Sequence, residues 1–332
     1  MRTRIGGRAA AALTAGGALL LTGACGGHGN AQDLPPSPYA SSPSASPTPT
    51  AKYGLSPLTG IPARSRAEAG RAAFGVALTG SDPQGLTGAD LVYEEESDPA
   101  RYIAVYQSGS SAKIGPLGQG RSTDPQLMGA LHAGLGYATM RPGPHSQLSG
   151  MHVTDLGYPG HPSAYTGGGA YTSTKGMYAA IAKLHRGPGQ PPSPFTYVAE
   201  GRPLASKGLK KATKLRVSMP GSATRTWTYS GGRWRPSGGG PKVPVANVIV
   251  QRTEYKTTNI AKGGVKAPKA KVFGTGTCVV ASAGQSANGK WNRQSPDSMT
   301  LFVDSESFPF RLAPGPTWVI LAPPGTSVRA TP

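Results

Sequence analysis

The heptapeptide RYIAVYQ, residues 101–107, decides the fold of the first half of the chain. Aromatic and β-branched residues fill it, which predicts a β-strand. Two shorter stretches before it, residues 74–78 and 90–94, have the same strand-like character. We therefore expect a sheet in which residues 101–107 form a central, well-defined strand.

Two helical patterns follow the strands. The first covers residues 124–135, where Asp124 suits a helix cap and Pro125 the first turn. The second runs from Lys175 to about Leu184, after a Thr-Ser-Thr sequence that suits a cap. Strands interleaved with helices predict an α/β domain, which we place at residues 55–200.

From about Lys214 onward the pattern changes to short strands separated by turn residues. A hairpin is predicted around Ser230-Gly231-Gly232, and a strong strand at residues 245–253. Further strands are expected at residues 215–219, 271–273, 277–282, 290–293, 299–303 and 317–321. This predicts a β-rich, antiparallel C-terminal domain over residues 201–325, and an α+β fold for the whole chain.

The N-terminus carries the signals of export. Three arginines precede a short apolar stretch, which indicates a signal peptide over residues 1–24 and is too short to span a bilayer. Small residues precede Cys25, so we expect Cys25 to be lipidated and to anchor the protein at the extracytoplasmic face of the cell membrane. The alternative is an ordinary secretory peptide with a chance cysteine. Residues 25–54 are rich in Pro, Ser and Thr and predict a disordered linker.

Lipidation of Cys25 leaves Cys278 without an intramolecular partner, because these are the only two cysteines. Cys278 lies in an apolar, strand-like run and is interpreted as a small buried residue, not as a nucleophile. The exported domain must then be stabilised by its hydrophobic core and not by a disulfide.

Charge divides the chain into two parts. It holds 34 Lys and Arg against 15 Asp and Glu, and residues 201–290 contain 17 basic residues and one acid, Glu254. Such an excess attracts polyanions. In an exported protein this favours phospholipid head groups or anionic wall polymers and argues against nucleic acid. A face that is only solubilising is the alternative.

An acidic cluster, Glu94-Glu95-Glu96, stands just before the strand at residues 101–107. Alternation places Glu94 and Glu96 on one side and Glu95 on the other. Glu94 and Glu96 are the candidate catalytic carboxylates, since paired carboxylates can perform acid–base chemistry. A solvated loop is the other interpretation.

A glycine-rich turn, residues 115–121, opens the first helix. Backbone N–H groups in such a turn can cradle an anion, so Gly118, Gly120, Arg121 and Arg101 form the candidate anion site. The turn lacks the Lys-Ser/Thr ending of a nucleotide-binding P-loop. Alternatively, its glycines serve only the geometry of the connection.

Other chemistry finds little support in the sequence. His145, His152, Asp155 and His161 match no zinc spacing, so we expect neither a metal nor a cofactor. There is no Gly-x-Ser-x-Gly elbow, and Ser146 beside His145 does not by itself give triad geometry. The four tryptophans, which could also stack on sugars, are interpreted as core residues and comprise Trp227, Trp234, Trp291 and Trp318.

Eight sequence blocks occur together in a recognisable order. They are SPLTG (56–60), GADLVYE (88–94), RYIAVYQ (101–107), KIGP (113–116), YTST (171–174), NVIVQ (247–251), WNRQSPDS (291–298) and PGPTWV (314–319). With them the chain resembles the YerB-like lipoprotein family, which combines an N-terminal and a C-terminal domain of unknown function (DUF3048). The resemblance covers residue 55 to the end. It implies an α/β domain followed by a β-rich domain, and no established activity.

The chain departs from that family at two places. Members usually continue Gly-Pro with a hydrophobic residue and Arg-Ser-x-Arg, whereas here Gly118 replaces the first arginine and Arg121 remains. Members also tend to carry Pro-His-Asn where this chain has Gly167-Gly168-Gly169. If that arginine and histidine serve a reaction in the family, this chain lacks two of the residues that the reaction needs.

The sequence thus favours a non-catalytic envelope lipoprotein that binds an anionic wall component or a wall-assembly protein of the penicillin-binding type. One alternative is an enzyme acting on a phosphorylated glycan or lipid-linked precursor, with Arg121 and Arg101 holding phosphate and Glu94 or Glu96 as base. A scaffold for a membrane protein is the other.

Overall fold

A computed structural model of the chain describes residues 51–97, 100–199, 204, 206–259, 264 and 266–332. The predicted signal peptide, Cys25 and most of the predicted linker lie outside the described residues. None of the helices in the described residues is long and apolar enough to cross a membrane.

The strands divide into two groups by position in the chain. Those of the first half are β1 (Phe74–Thr79), β2 (Leu91–Glu95), β3 (Arg101–Tyr106), β4 (Gln119–Gly120), β5 (Gly134–Gly136), β6 (Thr139–Met140), β7 (Thr154–Asp155), β8 (Tyr165–Thr166), β9 (Tyr171–Thr172) and β10 (Thr196–Tyr197). Those of the second half are β11 (Lys210–Lys211), β12 (Lys214–Ser218), β13 (Arg225–Ser230), β14 (Arg233–Gly238), β15 (Asn247–Arg252), β16 (Tyr255–Asn259), β17 (Lys266–Ala270), β18 (Gly274–Ser282), β19 (Gln285–Arg293), β20 (Leu301–Val303), β21 (Arg311–Leu312), β22 (Thr317–Ala322) and β23 (Ser327–Thr331).

The helices of the described residues are short and all lie in the first half. They are α1 (Arg66–Ala69), α2 (Asp124–Ala130), α3 (Pro142–His145), α4 (Gln147–Gly150) and α5 (Thr174–Ile181), with 3₁₀ turns at Leu86–Gly88 and Pro162–Ala164. Ser173 caps α5, since its hydroxyl accepts a hydrogen bond from the Gly176 N–H at 3.0 Å, which confirms the cap predicted from the sequence.

One large sheet passes through both halves of the chain. Its 11 strands follow the order β11-β19-β18-β15-β22-β2-β3-β1-β5-β7, with β20 paired to β19. The halves meet where β2 pairs in parallel with β22, from Leu91 opposite Thr317 to Glu95 opposite Leu321. The sheet is therefore continuous across the predicted boundary at residue 200, and the described residues group as one compact unit.

Two hydrophobic cores cover the two faces of this sheet, as side-chain alternation requires. Tyr102 and Ala104 of β3 belong to one core, together with Trp318. Ile103 and Val105 of the same strand belong to the other core. Because both faces are covered, the central strands consist almost entirely of buried residues.

A second sheet of four antiparallel strands, in the order β14-β13-β12-β23, packs on the first core. Trp227 and Trp234 project from it and are fully buried. Its β13–β14 turn places Gly231 at φ 56° and Gly232 at φ 74°. Two consecutive positive φ angles are what a two-residue hairpin needs, so the predicted hairpin is confirmed.

The α+β fold class and most of the predicted strands are confirmed, with three differences. The helix predicted to reach residue 135 ends at Ala130, because residues 134–136 pair with β1 as β5. Residues 271–273 are not a strand and connect β17 to β18. The second half is not wholly antiparallel, since β15 and β22 run parallel. In the first and third cases pairing with a distant strand overrides the local pattern.

The four tryptophans and Cys278 lie in the cores, as their patterns indicated. Each of these five side chains is at most 2% exposed. Burial raises the pKa of the Cys278 thiol to about 12. The thiol is therefore protonated and inert at neutral pH.

Asp90, which precedes β2, fixes the end of β3. Its carboxylate accepts hydrogen bonds from the N–H groups of Gln107 (2.5 Å), Ser108 (2.8 Å) and Gly109 (3.1 Å), and from the Ser108 hydroxyl (2.6 Å). Because β2 is also the strand that joins the two halves, this one carboxylate stabilises the junction of the sheet.

Substitution of Asp90 by Ala should lower the free energy of unfolding by about 3 kcal/mol, because it leaves buried N–H donors without acceptors. The control is Asp82→Ala, which removes an exposed carboxylate from the preceding loop and should cost less than about 0.5 kcal/mol. Urea denaturation of both variants gives the comparison. Equal midpoints would contradict this role of Asp90.

Candidate functional site

The acidic cluster lies at the carboxyl edge of the large sheet. Strands β1, β2, β5, β15 and β22 run in the same direction, so their carboxyl ends share this edge. Glu94 and Glu95 end β2 there, and β3 starts at the same edge with Arg101. In sheets of this kind the carboxyl edge is where ligands usually bind.

Glu94 is fixed by two partners from the second half of the chain. Its Oε2 accepts hydrogen bonds from Arg225 Nη1 and from Trp318 Nε1, both at 2.6 Å. The guanidinium of Arg225 lies 4.9 Å from the ring centroid of Trp318 and 5.1 Å from that of Trp227, which is cation–π contact. Glu94 is thus a buried member of an ion pair and not a free base.

Glu95 points to the opposite side, as alternation predicted. It forms an ion pair with Arg101 Nη1, and Asp124 forms a second with Arg101 Nη2. Arg101 is only 2% exposed. Burial alone would lower the pKa of Arg101, but the two carboxylates raise it above its ordinary value. Arg101 therefore neutralises protein carboxylates and has no exposed face for an external anion.

Arg121 lies beside this ion-pair cluster and is half-buried. Its Nη2 donates to the Ser97 hydroxyl at 3.0 Å, and its backbone N–H donates to Asp124 Oδ2 at 2.8 Å. Burial, with the nearby charge of Arg101, lowers the pKa of Arg121. The structure thus brings Arg101 and Arg121 together, but around Asp124 and not around an open anion site.

The glycine-rich turn uses its amides within the protein. The N–H groups of Gly115, Leu117 and Gly118 donate to the carbonyls of Gln84 (3.2 Å), Ala170 (2.8 Å) and Ala77 (2.8 Å). Gly120 belongs to the short β4–β6 pair. This geometry favours the interpretation in which the glycines shape the connection.

The two departures from the family pattern lie on adjacent turns. Gly118 follows Leu117, whose N–H bonds to Ala170 at the end of the Gly167–Gly169 run. All three glycines of that run have positive φ, between 59° and 91°, which suits the turn of the β8–β9 hairpin. The chain therefore carries glycine on both of these neighbouring turns.

A cavity of about 460 Å³ opens between the carboxyl end of β2 and the loops of the four-stranded sheet. We call it the edge cavity. It is lined by Ser81, Glu94, Glu95, Glu96, Ser97, Ala100, Tyr102, Val217, Met219, Pro220, Gly221, Ser222, Ala223, Arg225, Gly239, Gly240 and Ile320. Both candidate carboxylates, Glu94 and Glu96, thus face one cavity, and Arg121 reaches its wall through Ser97.

A second feature, the basic face, covers the outer side of the four-stranded sheet. Four exposed side chains define it: Lys214, Arg216, Arg235 and Arg329. Lys214 lies on the row of Thr228 and Arg235, while Arg216 stands directly opposite Arg329. None of the four pairs with a carboxylate among the described residues.

The histidine-rich stretch forms a separate surface cluster. His145 Nε2 lies 2.9 Å from Asp155 Oδ2, and the Tyr137 hydroxyl donates to Asp155 Oδ1 at 2.7 Å. His161 Nε2 lies 3.1 Å from the Asp155 carbonyl oxygen, whereas His152 occupies a turn at φ 54°. Within the described ranges no group of three His, Cys, Asp or Glu side chains is arranged to hold a metal.

Sequence reasoning missed two partners in this region: Arg225, which pairs with Glu94, and Asp124, which pairs with Arg101. One signal was available for Arg225, which stands two residues before Trp227 in the same strand and so shares its inward face. Nothing local distinguishes Asp124 from an ordinary residue of a first helical turn. Both partners are distant in sequence from the side chains that they meet.

Comparison with known proteins agrees with this architecture. Two domain profiles of one family match the chain, both described as protein of unknown function (DUF3048): the N-terminal domain at residues 58–186 and the C-terminal domain at residues 218–319. The crystal structure of the YerB protein from Bacillus subtilis is similar, with a TM-score of 0.64 and 16% identity over 83% of this chain and 99% of that chain. That likeness shows the fold. No curated protein matches the chain.

Neutralising Glu94 should strongly destabilise the protein. The Glu94→Gln variant leaves the buried Arg225 without its counter-charge, so we expect a loss of about 3 kcal/mol in the free energy of unfolding. The control Glu254→Gln removes one carboxylate from an exposed pair with Lys271 and should cost less than about 1 kcal/mol. Adding Arg225→Met to Glu94→Gln should cost less than the sum of the single changes; additive costs would argue against the pair.

Arg101 and Arg121 should behave differently on substitution. Arg101→Gln leaves Glu95 and Asp124 buried without a counter-charge and should cost about 3 kcal/mol or more. Arg121→Gln removes a half-buried side chain that has water as an alternative partner and should cost less than about 1 kcal/mol. The urea denaturation midpoints of the two variants test this. A larger loss of stability for Arg121→Gln than for Arg101→Gln would contradict the central role of Arg101 in the ion-pair cluster.

Proposed function

The chain belongs to the DUF3048 family of proteins of unknown function, and we propose that it is an extracytoplasmic lipoprotein that binds an anionic polymer of the cell envelope. Anchoring is attributed to Cys25, on the sequence features of residues 1–24. The linker would let the folded part reach polymers beyond the head groups of the membrane.

The basic face is the observation that carries the proposal. Strands β12, β13, β14 and β23 contain no Asp or Glu, and their outward positions are occupied by Lys, Arg, Ser and Thr. Like charges directly opposite each other, as at Arg216 and Arg329, destabilise a sheet. A bound anion between the two arginines would relieve that repulsion. The arrangement is therefore typical of an anion-binding surface.

The spacing of the face suits a chain of repeated charges better than a single small anion. Positions i and i+2 on a strand are roughly 6.5 Å apart, and neighbouring strands are roughly 4.8 Å apart. Lys214 and Arg235, with β13 between them, are thus about 10 Å apart. A flexible polymer of phosphates or carboxylates can meet these positions one after another.

The enzyme alternative receives less support from the geometry. Its phosphate-holding Arg101 is bound to Glu95 and Asp124, and its candidate base Glu94 is bound to Arg225. Glu96 is the one remaining candidate carboxylate of that hypothesis. A protein partner of the penicillin-binding type remains the other alternative for the envelope role, and it needs no polymer at all.

Removing the basic face should weaken polymer binding. The variant changes Lys214, Arg216, Arg235 and Arg329 to Gln, and the probe is inorganic polyphosphate in a salt gradient. We expect the affinity at low salt to fall about tenfold or more, with a shallower dependence on salt concentration.

The matched control changes four exposed basic residues of the first half to Gln: Arg66, Lys175, Lys183 and Arg186. It removes the same charge from the molecule, so it should keep most of the wild-type affinity if the face binds the polymer. An equal loss in both variants would show that only net charge matters. A wild-type protein that does not bind polyphosphate or anionic wall polymer at low salt would refute the proposal.

A further inference from the structure

The edge cavity contains one carboxylate without a protein counter-charge. Of its three lining glutamates, Glu94 pairs with Arg225 and Glu95 with Arg101. Glu96 forms no ion pair among the described residues. Only its backbone is held, because its N–H donates to the Tyr255 hydroxyl at 3.1 Å. Since Glu94 and Arg225 neutralise each other, and Arg101 neutralises Glu95, the remaining charge of the cavity wall is the negative charge of Glu96.

One buried polar atom of a residue that lines the cavity also has no partner. Nε of Arg225 makes no hydrogen bond among the described residues, although Arg225 is only 5% exposed. Buried polar groups are nearly always paired, so this unpaired donor favours a guest that supplies an acceptor, directly or through water.

Part of the remaining wall of the cavity is apolar. Tyr102, Met219 and Ile320 contribute to it. A volume of about 460 Å³ admits a sugar ring or a small amino-acid derivative and excludes a folded domain. The guest should therefore combine an apolar face with a hydrogen-bond acceptor and a positive charge that complements Glu96.

We propose that the edge cavity binds a primary ammonium group carried on a small amphipathic body, with Glu96 as its counter-ion. A hexosamine with a free amino group and an amino-acid ester both have this chemistry. The site goes beyond the proposed polymer binding, because it uses a different surface and the opposite charge. Glu96 binds and positions the ammonium group, while the ion pair of Glu94 and Arg225 forms a fixed part of the cavity wall.

Calorimetric titration of the full-length chain tests this with three probes: glucosamine, alanine methyl ester and N-acetylglucosamine. We expect at least one of the two amines to bind and N-acetylglucosamine, which lacks the charge, not to bind. Glu96→Gln should weaken binding of the amine about tenfold or more, as expected for a charged hydrogen bond.

Glu306→Gln is the matched control, since it removes the same charge at an exposed pair with Lys207 outside the cavity lining, and it should bind like the wild type. Burial raises the pKa of Glu96, so amine affinity should decrease as the pH falls through that raised value and the carboxylate becomes protonated. Glu96→Gln should lack this pH dependence.

Three results would overturn the proposal: no binding of either amine, equal binding of N-acetylglucosamine, or equal affinity in Glu96→Gln and wild type. Binding of only one amine identifies which source of the ammonium group the cavity accepts. Polyphosphate binding is measured separately on the same variants, so failure of the amine site leaves the polymer proposal untouched.

Discussion

The hydrogen-bonded ion pair of Glu94 with Arg225 and Trp318 is the interaction on which the rest of the structure depends. Glu94 belongs to the first half of the chain, Trp318 to the strand β22 beside it, and Arg225 to the four-stranded sheet. A buried carboxylate is tolerated only when it is paired. This pair therefore fixes where the four-stranded sheet packs on the large one, and with it the shape of the edge cavity.

The continuous sheet has a functional consequence. Strand β2 lies between β22 and β3. The two parts of the chain that match the family profiles therefore contribute strands to one continuous sheet. The edge cavity lies at this junction, with walls from the end of β2 and from the loops of the four-stranded sheet. Binding there would contact both parts at once, which a site within either part could not do.

Charge is segregated between the basic face and the edge cavity. The outward face of the four-stranded sheet is basic and free of acids, while its inward side delivers one arginine, Arg225, to a glutamate. The edge cavity keeps a negative charge at Glu96. A molecule with this distribution can hold an anion outside and a cation within, because the two fields are separated by the sheet and by its buried aromatic side chains.

The sequence by itself determined the strands with strong alternation, the β13–β14 hairpin, the cap of α5, the burial of Cys278 and of the tryptophans, and the excess of basic residues in the second half. These features depend on neighbours in the chain. Tertiary structure alone decided that β2 pairs with β22, that residues 134–136 form a strand, and that Arg101 and Glu94 bind protein partners and not a ligand. Each of those outcomes depends on residues far apart in sequence, and one side chain cannot reveal whether its counter-charge will come from the protein or from outside.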